Sequence, residues 1–296
     1  MTTQDPTPTS SRIARLDRRG VVTVAGPEAE KFLNDLVTAD VSATTSGRAA
    51  YAGLLTPQGK VLFDFVVFRG DDGFLIDVLR EKAAELAKRL GFYRLRAKVT
   101  IADRSEDLHV LAGWGGAAPQ SDGIVAPDPR LADLGWRAIV GGAAPVDATE
   151  ANYDAHRIAL GVPEGGIDFA FGDVFPHDAD FDQIGGVDFT KGCYVGQEVV
   201  SRMEHRHTAR RRIVTVSAVS PLPQKGTDVV AGGKPLGILG SSAAGTGLAL
   251  VRLDRAKDAI DRGEPLTAAG IPLTLAIPPW ARFTWPATAA TDAGEA

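Results

Sequence analysis

The chain has 296 residues, 44% of them hydrophobic and 23% charged, with 32 Lys+Arg against 37 Asp+Glu for a formal net charge of −5. That length supports two or three packed units, and the acidic balance argues against wholesale coating of nucleic acid. The lone cysteine excludes an internal disulfide, and apolar runs of about eight residues fall far short of the roughly 20 needed to span a bilayer.

The opening Met1-Thr2-Thr3-Gln4-Asp5 lacks the basic start and apolar centre of a secretory signal. A reducing cytoplasm is therefore expected, with no membrane partner. Residues 1–11 and 287–296 read as disordered tails. Order begins at Val21-Val22-Thr23-Val24, a β-branched strand ending in Gly26, with Pro27 placed as a first helical residue. Phe32, Leu33, Leu36 and Val37 follow at helical spacing and would face the core. Tyr51 to Leu55 and Lys60 to Phe68 are strands joined through Thr56-Pro57-Gln58-Gly59, a hairpin. Phe74 to Val78 adds a strand, and Glu81 to Leu90 a helix ended by Gly91.

Val99 to Ile101 and Leu108 to Leu111 are further strands, and Gly113 to Pro129 reads as loop. Trp136 to Val140 is a strand, and Ala151 to Leu160 a helix. Val162 to Gly186 is glycine-rich, acidic and aperiodic, the texture of a long functional or disordered segment. Beyond Arg212, short β-rich runs separated by Gly/Pro turns indicate a small all-β barrel or sandwich.

No phosphate-binding loop, dinucleotide fingerprint or nucleophile elbow occurs. His205 and His207 have no further ligands at a recognisable spacing, so no metal is expected. The densest chemistry is Lys191-Gly192-Cys193-Tyr194-Val195-Gly196-Gln197-Glu198, followed by Arg202, Arg206, Arg210, Arg211 and Arg212. Cys193 reads either as a buried small hydrophobe or as a thiol activated by Lys191 and Arg202. Glu198 and Gln197 could read the polar edge of a flat heterocycle, or Glu198 could lie on the solvent face of a helix starting near Gly196. The arginines are either a solvated face or an anion contact.

The motif from Lys191 to Glu198 resembles the K-G-C-Y-x-G-Q-E signature of the YgfZ family of folate-binding proteins, relatives of the glycine-cleavage T-protein. Ala25 to Leu33, Leu55 to Val61, and Arg157 to Glu164 resemble other parts of that family. The likeness extends over residues 12–285. It implies a T-protein-like α+β fold, with two interleaved folate-binding units over residues 12–208 and a small β-barrel over 209–286. It also implies a tetrahydrofolate-binding accessory protein that supports iron–sulfur cluster assembly or repair in client enzymes, some of them tRNA-modifying.

Glu198 is then a pterin contact and Cys193 the family thiol. Lys191, Tyr194 and Gln197 are associated folate contacts, joined by Asp64 and Arg202. The T-protein carries adjacent carboxylates where this chain has Phe63-Asp64. That substitution counts against the alternative of a folate-dependent aminomethyltransferase, whose general base must reach its proton. An RNA-binding module through Arg202 to Arg212 is a further alternative. The net charge and the lack of an aromatic-basic platform disfavour direct nucleic-acid binding.

Overall fold

The computed structural model describes residues 11–118, 122–206 and 208–287. The calls on the two tails, apart from Ser11 and Ala287, and on His207 lie outside the described residues. The first elements are β1 (Arg12–Arg15), β2 (Arg19–Ala25), α1 (Ala29–Asn34), β3 (Ala50–Leu55), β4 (Val61–Gly70), β5 (Gly73–Leu79) and α2 (Arg80–Arg94). There follow β6 (Thr100–Asp103), β7 (His109–Trp114), β8 (Ile124–Pro127), β9 (Trp136–Val140), α3 (Glu150–Ala159) and α4 (Gln197–Arg206). The last part holds β10 (Arg211–Ser217), β11 (Asp228–Ala231), β12 (Lys234–Ala243), β13 (Thr246–Arg252), α5 (Leu253–Asp261), β14 (Leu266–Ala268), β15 (Ile271–Pro272) and β16 (Thr274–Ala276).

These strands build three sheets. One has the order β3-β4-β5-β2-β6 and carries α1 and α2, with Phe32, Leu33, Leu36 and Val37 buried against it as their spacing requires. A second has the order β1-β7-β9-β8. The third, β15-β14-β11-β12-β13-β10-β16, curls into the C-terminal barrel around its own apolar core. Together they form the expected α+β architecture with a C-terminal barrel.

The first two sheets are bolted through their charged interior. Asp77 on β5 accepts from Arg19 Nε at 2.6 Å and also pairs with Arg137 on β9. Arg137 Nε reaches Asp128 at 2.9 Å, and Arg130 Nη2 reaches the same carboxylate at 2.7 Å. The Tyr153 hydroxyl accepts from both arginines at 2.9 Å. Arg19 Nη1 donates to Glu164 at 2.9 Å. Burial opposes the charge on Glu164, but Arg19 and Arg157 outweigh it and bring its pKa to about 2.

Several local expectations change. Helix α2 passes through Gly91, which has open space beside it and no positive φ, and stops only at Leu95. Helix α1 starts at Ala29, two residues beyond Pro27. The presumed loop from Gly113 to Pro129 contains the end of β7 and all of β8, because pairing with β9 satisfies their backbone whatever their composition. Strand β1 and helix α5 were not anticipated, although α5 is clearly amphipathic. The apolar face of α5 is Leu253, Ala256 and Ala259, spaced as one helical stripe.

Candidate functional site

The signature loop is built from both directions. Asp188 Oδ1 accepts from Thr190 N at 2.8 Å, Thr190 Oγ1 at 2.7 Å and Lys191 N at 3.1 Å, closing a tight turn before the motif. Lys191 Nζ then donates to the carbonyls of Asn34 at 2.7 Å, Val37 at 2.8 Å and Ala39 at 2.9 Å. These carbonyls lie at and just past the C-terminal end of α1, where helical acceptors lack backbone partners and a cation is favoured. Burial is the main cause that lowers the Lys191 pKa, to about 8, against the pull of Asp40 and Asp188.

On the far side, Gly196 adopts a φ of 82° and leads into α4. A Cβ there would lie 2.6 Å from the Thr56 carbonyl oxygen, so only glycine lets the loop close on the β3–β4 turn. Between these two anchors, Tyr194 is buried, its hydroxyl without a partner among the described residues and its pKa raised to about 12 chiefly by burial. Cys193 is exposed. The reading of this cysteine as a buried hydrophobe is therefore excluded.

The remaining predicted folate contacts do not converge with it. Glu198 sits on the solvent face of α4 with its side chain 84% exposed, and it pairs with Arg202 one turn on. Gln197 is half-buried at the start of that helix. Asp64 lies in the interior, where its Oδ2 accepts from Tyr51 Oη and Gly165 N, both at 3.2 Å. Its Oδ1 has no partner among the described residues, and burial raises its pKa. Lys191 has all three ammonium hydrogens engaged by carbonyls at and just past the end of α1.

Two grooves flank the loop and share Gly185. One, of about 370 Å³, is lined by Asp40, Thr44, Arg48, Tyr51, Pro129 and Asp188. The other, of about 540 Å³, is lined by Gln183, Phe189, Glu204, Arg212, Arg282 and Phe283. Neither is lined by Asp64, Lys191, Tyr194, Gln197, Glu198 or Arg202. Neither groove therefore brings the six predicted folate contacts together.

Two of the five arginines of the run, Arg211 and Arg212, are internal bracing, while Arg202, Arg206 and Arg210 are exposed. Arg211 pairs with Asp178 at 2.8 Å, and Arg212 grips both oxygens of Asp182 at 2.5 and 2.9 Å. Sequence reasoning missed the cluster of His177, Asp182 and Glu204, whose ligand atoms lie within 4.8 Å of one another. It is assembled from the aperiodic segment and α4, so no spacing announces it. Arg212 already holds the Asp182 carboxylate, placing a cation where a metal would need that ligand.

Residues 12–128 match the model of the GCVT N-terminal domain, and residues 210–283 that of the CAF17 C-terminal beta-barrel domain. The human iron–sulfur cluster assembly factor IBA57, mitochondrial, is 32% identical, covering 92% of this chain and 85% of its own length. The chain belongs to the IBA57 iron–sulfur cluster assembly factor family. The IBA57 homolog of Mycosarcoma maydis is 34% identical over 76% of this chain, which spans 62% of that longer protein. The glycine cleavage system aminomethyltransferase T of Bartonella henselae superposes with a TM-score of 0.71, covering 92% of this chain and 86% of its own, at 15% identity. That likeness shows the fold. These IBA57 relatives are named mitochondrial proteins, which overturns the expectation of a cytoplasmic setting.

Proposed function

We propose that this chain is an accessory factor of YgfZ type for assembly or repair of iron–sulfur clusters in client enzymes, tRNA-modifying enzymes among them. Cys193 is the thiol it brings to that work. The observation that carries this reading is an exposed cysteine on a loop held at both ends, by Lys191 against α1 and by Gly196 against the hairpin turn. A fixed, accessible sulfur suits contact with a cluster or a client thiol, because the thiolate is the reactive and metal-binding form. Membership of the IBA57 family supports the same role.

Tetrahydrofolate remains the proposed ligand on the strength of the aminomethyltransferase-like fold, not of the six residues first assigned to it. The proposed division sets a folate-type region over residues 12–208 against a barrel over 209–286. An aminomethyltransferase gains no support from Asp64, which is buried under Tyr51 and Gly165 beside Phe63. An RNA module loses Arg211 and Arg212 to internal ion pairs.

The test is complementation. In cells lacking the protein, Cys193→Ser should accumulate as a folded protein yet fail to restore iron–sulfur enzyme activity. Full restoration would reduce Cys193 to a bystander. Calorimetric titration of the purified chain with tetrahydrofolate decides the ligand separately, since an absence of heat would remove folate and leave the thiol role standing.

A further inference from the structure

Helix α2 buries Ala83, Leu86 and Leu90 against its sheet, but its last turn faces water with apolar side chains. Phe92 is 65% exposed and Leu95 is 87% exposed. Leu95 also holds a φ of 44°, a conformation that residues with a side chain rarely adopt and that glycine enters freely. The chain thus keeps a strained leucine in solvent where a glycine would relieve it.

Lys88, Arg89, Arg94, Arg96 and Lys98 flank these two residues in the chain. None of the five makes a side-chain hydrogen bond or ion pair among the described residues, whereas Arg19, Arg130, Arg137, Arg157, Arg211 and Arg212 all engage carboxylates. Cations in a last helical turn complement the helix dipole, which accounts for Arg94. It does not account for Arg96 and Lys98 beyond the helix end, nor for the exposed Phe92 and Leu95.

We propose that this turn is a docking patch for an anionic lipid bilayer. Phe92 and Leu95 enter the boundary between headgroups and acyl chains, and the five cations meet lipid phosphates. No helix among the described residues is long and apolar enough to cross a membrane. Lying on the surface needs no such helix. A nucleic acid would satisfy the cations and stack on Phe92, but it offers nothing to Leu95. Five long, unpaired cations spread over residues 88–98 suit a fluid array of phosphates, which imposes no fixed pairing geometry. In a chain of net charge −5, the same cluster sets the orientation of approach.

The experiment is flotation of the full chain with vesicles of phosphatidylcholine alone, or with about a third of the lipid replaced by phosphatidylglycerol. The chain should float only with the anionic vesicles, and less so as salt rises. Leu95→Gly should cut partitioning roughly tenfold without lowering the melting temperature, because it removes apolar contact and strain together. The double change Arg94→Glu with Arg96→Glu should abolish flotation. Absence from anionic vesicles, or full partitioning of Leu95→Gly, would overturn the proposal. So would binding to an RNA oligonucleotide that needs Arg94 and Arg96 but not Leu95, or a concentration-dependent dimer lost in Leu95→Gly; these would assign the patch to nucleic acid or to a second copy.

Discussion

Gly196 and Gly59 face each other across the contact between the signature loop and the β3–β4 hairpin. A Cβ on Gly196 would stand 3.1 Å from Gly59 Cα, and one on Gly59 would stand 3.0 Å from Val199 Cβ. Both glycines have positive φ, 82° and 80° respectively. Two distant turns are therefore shaped to fit one another. Gly196→Ala should destabilise the protein by about 2–4 kcal/mol, combining a left-handed backbone cost with overpacking. Urea unfolding would measure this, and unchanged stability would mean that the contact is loose.

Lys191 is expected to act as a clamp and not as a ligand contact. Lys191→Met leaves three carbonyls at the end of α1 without their donor and should cost about 2–3 kcal/mol. Lys191→Arg should not rescue it, because a planar guanidinium cannot direct donors to three converging acceptors as an ammonium does. Alkylation of Cys193 should change rate in both variants, as the loop loses its fixed position. Equal alkylation rates in both variants and the unaltered chain would separate the clamp from the thiol.

Asp64 carries a sign-specific prediction. Burial raises its pKa, so above the ordinary carboxylate range the folded state holds a proton that the unfolded state has lost. Stability then falls as pH rises through that window. Asp64→Asn removes the dependence and keeps an acceptor for Tyr51 and Gly165. It should gain roughly 1 kcal/mol near neutral pH, and the gain should vanish as pH falls toward about 4. Melting curves across pH would check this, and a gain that grows on acidification would contradict it.

Arg137 and Glu198 should behave as opposites. Arg137→Met strips a partner from both Asp77 and Asp128 in the interior and should cost about 3–5 kcal/mol. Glu198→Ala removes an exposed ion pair and should change stability by no more than about 0.5 kcal/mol. It should also leave tetrahydrofolate titration unaltered. A lost titration in Glu198→Ala would return that carboxylate to the ligand site.

Much of the architecture could be read from periodicity. Phe32 and Leu33 marked the buried face of α1, Leu36 and Val37 are buried just past its end, and the Pro-x-Gly turn placed β3 and β4. Strand β8 escaped notice because its pairing with β9 is tertiary and leaves no local pattern. At the candidate site, the motif picked out the loop between Asp188 and α4, but spacing could not say which side chains face inward. Glu198 was assigned by motif position, and its place on the first turn of α4 turns it to solvent. Lys191 looked like a free cation because its acceptors lie more than 150 residues earlier in the chain.

The Lys191 anchorage makes the Cys193 loop a discontinuous object. Its smallest transplantable unit is the segment 188–196 together with the end of α1 near 34–39 and the hairpin turn at 56–59. Grafting the short motif alone onto another protein would carry the cysteine across without its address.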